Sequence, residues 1–537
     1  MKLSLAKRSK ILVAEDQVLA RSHLHYALEQ LGFRDIEYVD RPSHILSALQ
    51  EDEYDAIICS YSLRSEQGGY FLLEQLNKEQ LLPLSSAFIF TSADTSIEVV
   101  HAIVELQPDE LITKPFSVNE LDKRLSRVFA RKHALRRVYA LMDKKEFEHA
   151  LLALESFLLQ PEQESYFPLA LKIKGDLYLL TERYHEAIPF FDSVINTQGF
   201  SWAKLGLASS LLALNKLDEA EREIIQLAMH RDVSLSAYDL LAKLQIKQCA
   251  YEDALESTIL ASDISPRNIT RHKQAIDLAR ITHDYARQFV SAKKMVQYAK
   301  GSVHDTPDIY LAAARCGVDF AMTSSKEQVN GIVKQTNDYL RQLSKAHPRA
   351  RRNEELSVIE ARLYYLKDDI EKAQTLLTNF QGNFNQYSTE ALLDRAKALH
   401  EVGIKGKSLE ILDVITARQK NKGGEINLLA TYLEQEKEEK QAISQSPKTL
   451  NNSAVSQYKE GELARSYATF AQAFRIMPKN PSIALNYLQA INKIRHSGAP
   501  LKGDVSAIIK KCKLTLADAT LNKEQQARYE SLKVALG

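Results

Sequence analysis

The chain has 537 residues, too many for one small core and enough for two or more domains. Its 70 Lys and Arg nearly cancel its 69 Asp and Glu, so no global field points to nucleic acid or to an anionic membrane. Cys59, Cys249, Cys316 and Cys512 lie far apart and form no paired motif, which argues against a zinc site or a disulfide scaffold. No run approaches the roughly 20 apolar residues that span a bilayer, and the N-terminus lacks the apolar stretch of a signal peptide. The expectation is a cytoplasmic protein without membrane insertion. With only 18 Gly and 14 Pro, long helices are favoured over a β-rich fold.

Over the first 125 or so residues, short apolar runs alternate with amphipathic ones, the pattern of an α/β doubly wound parallel sheet. Strands are predicted near 10–15, 36–39, 56–60, 87–92 and 110–114, and helices near 18–31, 42–50, 69–77, 95–106 and 117–130. Ligand sites in such sheets sit at the carboxyl ends of the strands. There the sequence places Glu15 and Asp16, then Ser60, Thr91, Lys114 and Pro115.

These four strand ends resemble the pocket of a response-regulator receiver domain, taken here as residues 1–127. The resemblance implies that Glu15 and Asp16 match the acidic pair that holds Mg²⁺, Thr91 the hydroxyl, and Lys114 with Pro115 the lysine and its following proline. Gly68 or Gly69 matches the glycine after the acceptor loop. Ser60 stands where the family has the aspartate that accepts phosphate. A serine needs an adjacent base to attack a phosphoryl group, and the loss of a carboxylate removes a charged metal ligand. Leu111 replaces the usual aromatic, and Gln107-Pro108 replaces a small pair. The expectation is a pseudo-receiver: no catalytic residues, no required cofactor, and at most weak Mg²⁺ at Glu15 and Asp16. Lys114 is expected to pair with Asp16 once the acceptor carboxylate is gone. The family's docking face for a histidine kinase or phosphotransfer protein maps to Gln17, Ala20, His23 and Pro115. The alternative is a phosphorylation-responsive regulator that uses another carboxylate, Asp55 or Glu66.

Between Asp122 and Arg137 seven basic residues run without Gly or Pro, which predicts a tightly jointed helix into the next domain. Such a run is either a contact stripe or a solvated face, and the second is the commoner outcome. Residues 128–537 then read as helical and repetitive. Ala150, Ala187, Ala220 and Ala254 recur at spacings of 37, 33 and 34 residues. With Gly175, Tyr178, Tyr184 and Phe191, they resemble an all-α tetratricopeptide-repeat solenoid. The clearest repeats fall at 134–266, 350–415 and 450–482. The pattern weakens over 267–350, a flexible loop is expected within 418–452, and helices over 483–537 close the apolar end. By repeat position, Lys172, Asp176, Trp202, Ser209, Asp239 and Lys243 line a groove for a second protein or peptide, although Trp202 is more simply read as packing between repeats.

Gly406-Lys407-Ser408 ends like a phosphate loop but lacks the earlier glycine, Glu401 standing there. The cluster Lys345, Arg349, Arg351 and Arg352 carries no nucleic-acid motif. The whole reads as a signalling adaptor of the two-component type, not an enzyme and not a nucleic-acid binder.

Overall fold

The computed structural model describes residues 6–64, 68–228, 234–324, 326–350, 352–378, 384–420, 427–443, 445–497, 501, 504–519 and 521–536. Contacts divide the chain into two compact units. One comprises Met1–Leu244, Leu260–Arg267 and Gly301–Val303; the other comprises Gln245–Ile259, Asn268–Lys300 and His304–Gly537.

The first unit begins with β1 (Lys10–Ala14), α1 (Val18–Gln30), β2 (Asp35–Val39), α2 (Pro42–Glu51), β3 (Ala56–Ser60), α3 (Gly68–Glu79), β4 (Ala87–Ser92), α4 (Ile97–Leu106), β5 (Glu110–Thr113) and α5 (Val118–Ala134). The strands form one parallel sheet in the order β2-β1-β3-β4-β5. Every residue of β3 and β4 is buried, as expected where helices cover both faces. Period-two alternation sorts the strand side chains to opposite sides. Leu12, Ile57, Cys59, Phe88 and Phe90 pack with α2, α3 and α4, while Ile11, Val13, Ile58 and Ile89 pack with α1 and α5. Because all strands run the same way, their carboxyl ends share one edge.

α5 opens on Ser117, whose hydroxyl accepts the Glu120 N–H. It stops at Leu135, and α6 (Arg136–Asp143) starts at the next residue, so the joint is as short as predicted. The basic run is largely engaged: Arg124 and Arg127 pair with Glu110, and Arg131 and Lys132 pair with Asp109. Burial lowers the Lys132 ammonium pKa despite Asp109.

The helical part continues with α7 (Phe147–Leu158), α8 (Phe167–Leu180), α9 (Tyr184–Gln198), α10 (Ser201–Ala213), α11 (Leu217–Ala228), α12 (Ser234–Lys247) and α13 (Tyr251–Ile264). Ala150, Ala187, Ala220 and Ala254 are fully buried. A Cβ on Gly175 or Gly206 would lie 2.6 or 2.2 Å from the Phe191 ring, so both glycines let that ring sit against α8 and α10.

The second unit adds α14 (Ile269–Ile281), α15 (Tyr285–Ala299), α16 (Pro307–Thr323), α17 (Lys326–Ala346), α18 (Asn353–Leu366), α19 (Ile370–Thr378), α20 (Thr389–Glu401), α21 (Lys405–Lys420), α22 (Leu428–Ala442), α23 (Pro447–Lys459), α24 (Leu463–Ile476), α25 (Pro481–Ser497), α26 (Val505–Asp518) and α27 (Lys523–Leu536). Helices persist where the repeat pattern fades over 267–350. The pattern fades because interior positions there carry Arg271, His272, Arg280, Gln288, Arg315 and Asp319, all buried.

These charges belong to a polar interior. Arg362, 2% exposed, donates to Glu401, to Asp394 Oδ1 at 2.7 Å and to Asp319 Oδ1 at 2.9 Å. Lys397 donates to Asp319 Oδ2 at 2.8 Å, and Arg280 grips Glu390 with two bonds of 2.8 Å. A void of about 20 Å³ beside Arg362, Lys397 and Glu436 leaves space for one water.

The stretch 418–452, expected to contain a flexible loop, is helical over α22 and the start of α23. Its charges mislead because Glu436, Glu439 and Lys440 are buried and paired, Lys440 with Glu436 and His283 with Glu439. Residues 421–426 and 444 lie outside the described residues.

Candidate functional site

The ends of β1, β3, β4 and β5 converge on one small polar pocket. Glu15, the residue after β1, is fully buried, and its backbone N–H donates to Val39 O. One of its carboxylate oxygens accepts the Gln17 N–H at 3.2 Å. The other accepts Lys114 Nζ at 2.6 Å. Lys114 follows β5, and its backbone N–H donates to Ser92 O at 2.7 Å, which fixes the lysine beside β4. From there Nζ lies 3.4 Å from Ser60 Oγ. The partner of Lys114 is therefore Glu15, not the expected Asp16: buried Glu15 is the carboxylate with more desolvation to offset, whereas Asp16 is half-buried.

Ser60 is 2% exposed at the end of β3, and a Cβ on Gly69 would lie 2.0 Å from its carbonyl oxygen. Gly69 is thus the glycine that the acceptor strand requires. Thr91 pairs across from Ser60 in the sheet, is 1% exposed, and its hydroxyl has no hydrogen-bond partner among the described residues. Such an orphan hydroxyl fits a site built for an additional oxygen-bearing group. The Lys114–Pro115 peptide is cis. Burial pushes the neighbouring Cys59 thiol far above its usual pKa, so it is inert as a nucleophile.

The arrangement restrains the chemistry. Ser60 Oγ faces an ammonium, a proton donor, and Glu15, the buried carboxylate beside it, is engaged by that same ammonium. Among the described residues nothing activates Ser60 as nucleophilic serines require. Glu15 and Asp16 are the two carboxylates that would hold Mg²⁺, and a metal on Glu15 would have to displace the Lys114 ammonium already bonded to it.

Asp55, one of the two alternative acceptors, stands at the opposite edge of the sheet. It precedes β3, and its carboxylate accepts the Lys10 N–H at 2.9 Å, so it is out of reach of Lys114 and Thr91. Glu66 lies outside the described residues.

On α1, Gln17 and His23 are exposed and Ala20 is half-buried, with the His23 ring 5.4 Å from Phe116. Three apolar neighbours escaped the sequence reading: Leu19 is 87% exposed, and Val18 and Tyr26 are also exposed. Leu19 and Tyr26, seven apart and out of register with buried Leu24, Ala27 and Leu28, were the available signal.

Of the six groove candidates, Asp176 and Lys243 are exposed while Lys172, Trp202, Ser209 and Asp239 are half-buried. Trp202 stacks on Phe200 and meets Phe191 edge-on, which is packing between neighbouring helices. Ser408 of the rejected phosphate-loop decoy is buried and donates to Ala396 O. Among the described residues no helix is long and apolar enough to cross a membrane.

Comparison with known proteins agrees with this geometry. Residues 11–126 match the response regulator receiver domain family. The probable chemotaxis protein CheY of Rhizobium etli is 26% identical over 127 residues, which are 24% of this chain and 97% of that protein. The transcriptional regulatory protein LytR of Staphylococcus aureus is 31% identical over 124 residues, 23% of this chain but only 48% of LytR. The chain thus spans about half the length of LytR. Among solved structures, the APC/C hetero-tetramer Cut9-Hcn1 covers 76% of this chain at 12% identity, with a TM-score of only 0.34. Residues 11–126 are a receiver domain of two-component signalling, followed by a long all-helical region.

Proposed function

We propose that the chain is a phosphorelay adaptor: its receiver domain docks on a histidine kinase or phosphotransfer protein without accepting phosphate. The helical region, read as tetratricopeptide repeats, holds a second protein or peptide, and the chain modulates kinase signalling in the cytoplasm without being an enzyme. The observation that carries this reading is the pocket in which Lys114 is bonded to Glu15 and the acceptor position is a buried serine with no base beside it among the described residues.

The intact outer face of α1 supports the docking half. Leu19, Val18 and Tyr26 are apolar and exposed beside Gln17 and His23, a surface that loses nothing when the acceptor is lost. Replacing Leu19 with Asp puts a charge in the middle of that face and leaves the core untouched. The cognate kinase or phosphotransfer protein should be retained by the wild-type chain and lost by Leu19→Asp. Retention of neither, or of both equally, would sink the docking role.

A further inference from the structure

The second unit contains a cleft of about 1110 Å³ that the sequence did not foreshadow. One wall comes from α13, the α14–α15 turn and α22. The other comes from α24, α25 and α26. Along α24, Ala471, Phe474, Arg475 and Pro478 line it, and along α26 Ile508, Lys511, Thr515 and Asp518 do, with Leu514 beside them. Both sets recur at helical spacing, so each helix turns one face to the cleft. The candidate groove at 172–243 belongs to the first unit, and this cleft does not depend on it or on the receiver.

The charges in the cleft are unevenly satisfied. Its carboxylates on the first wall are paired internally: Glu252 with Lys479, Glu256 and Asp284 with Arg287, and Glu439 with His283. Arg475 and Lys511, both exposed on the other wall, have no carboxylate partner among the described residues. Beside them Leu514 is 57% exposed and Ile508 is half-buried. What remains unsatisfied is thus an apolar strip flanked by two cations, with the exposed Asp518 carboxylate at the far end of α26.

We propose that this cleft docks an acidic amphipathic helix of a partner protein, its apolar face on Phe474, Ile508 and Leu514 and its carboxylates on Arg475 and Lys511. The occupant is helical because walls made of helices offer side chains only. Their backbone groups are already satisfied, so an extended peptide would find no edge to pair with, whereas a helix satisfies its own. The occupant is a peptide and not a nucleic acid because the cleft offers an apolar strip beside only two unpaired cations, which suits a few carboxylates next to apolar side chains, whereas a continuous polyanion needs a basic track.

The test uses the full chain and labelled synthetic amphipathic peptides, read by fluorescence anisotropy at two salt concentrations. One peptide carries leucines on one face flanked by glutamates, and its counterpart carries lysines in place of the glutamates. A single-stranded oligonucleotide is the third probe. The acidic peptide should bind, more weakly at high salt. The double variant Arg475→Glu/Lys511→Glu should weaken it by about tenfold or more and improve the lysine peptide instead. Leu514→Asp should weaken both peptides. All three positions are exposed, and an unchanged circular dichroism melt checks that the fold survives. No binding of the acidic peptide, binding indifferent to the charge reversals, or stronger binding of the oligonucleotide would each overturn the proposal.

Discussion

Ser60→Asp returns the missing carboxylate to the receiver pocket, and the geometry sets what should follow. Lys114 Nζ lies 3.4 Å from Ser60 Oγ and 2.6 Å from Glu15, so the new carboxylate sits no more than about 6 Å from Glu15. With an effective dielectric constant of 20, attraction to Lys114 is about 5 kcal/mol and repulsion from Glu15 at least about 3 kcal/mol. The difference roughly offsets the 1–3 kcal/mol typical of enlarging a buried side chain. Burying a charge at a position only 2% exposed adds a desolvation cost of several kcal/mol, so without metal the variant should be less stable than the native chain by about that amount. The pocket then holds three acidic side chains and a shared lysine, the donor set that Mg²⁺ lacks in the native protein. Thermal unfolding of the variant should rise with Mg²⁺, by about 2.7 kcal/mol of stability at a hundredfold excess over Kd, while the native chain should not respond. Incubated with Mg²⁺ and a small phosphodonor, the variant should gain a hydroxylamine-labile phosphate. A folded variant that takes neither metal nor phosphate would show that the serine is not what silences the pocket.

Two further outcomes test the helical part. Arg362→Ala strips the shared cation from Asp319, Asp394 and Glu401 and leaves buried carboxylates uncompensated, which should cost about 3–5 kcal/mol in urea denaturation; a loss below about 1 kcal/mol would contradict the network. Burial raises the Asp277 carboxyl to about 6, against the opposing pull of Arg280. Its folded value lies above its unfolded one, so its ionisation costs stability as pH rises through 6 and costs nothing below about 4. Asp277→Asn should accordingly stabilise the protein at pH 8 by on the order of 1 kcal/mol, a figure reduced for a side chain 30% exposed, and have no such effect at pH 4. An equal effect at both pH values would exclude titration as the cause.

Much of the receiver domain could be read from the sequence because parallel strands buried on both faces appear as continuous apolar runs. Each of the five strands falls within a residue or so of its predicted place. The pocket residues were legible for the same reason, since strand ends are fixed once the strands are. Which carboxylate Lys114 chooses was not legible: Glu15 and Asp16 are adjacent, and only burial separates them. The helical region was legible where small residues mark helix crossings, as at Ala187 and Ala220. It was not legible where interior positions are charged. Arg362, Lys397 and Glu436 look like surface residues in one dimension, and only the three-dimensional arrangement pairs them. The same blindness hid α22 inside 418–452, a stretch of which part was expected to be a loop. The cleft at Arg475 and Lys511 was invisible because its lining comes from separate stretches of the chain, between Cys249 and Arg287, at Gln435 and Glu439, and from Ala471 to Ala519.

The proposed adaptor keeps the receiver fold and has lost phosphate acceptance. The purified chain, incubated with Mg²⁺ and either a phosphorylated histidine kinase or a small phosphodonor, can be weighed intact. No added phosphoryl mass is expected. A phosphate that hydroxylamine removes would overturn the adaptor proposal and place an acyl phosphate on a carboxylate of this chain.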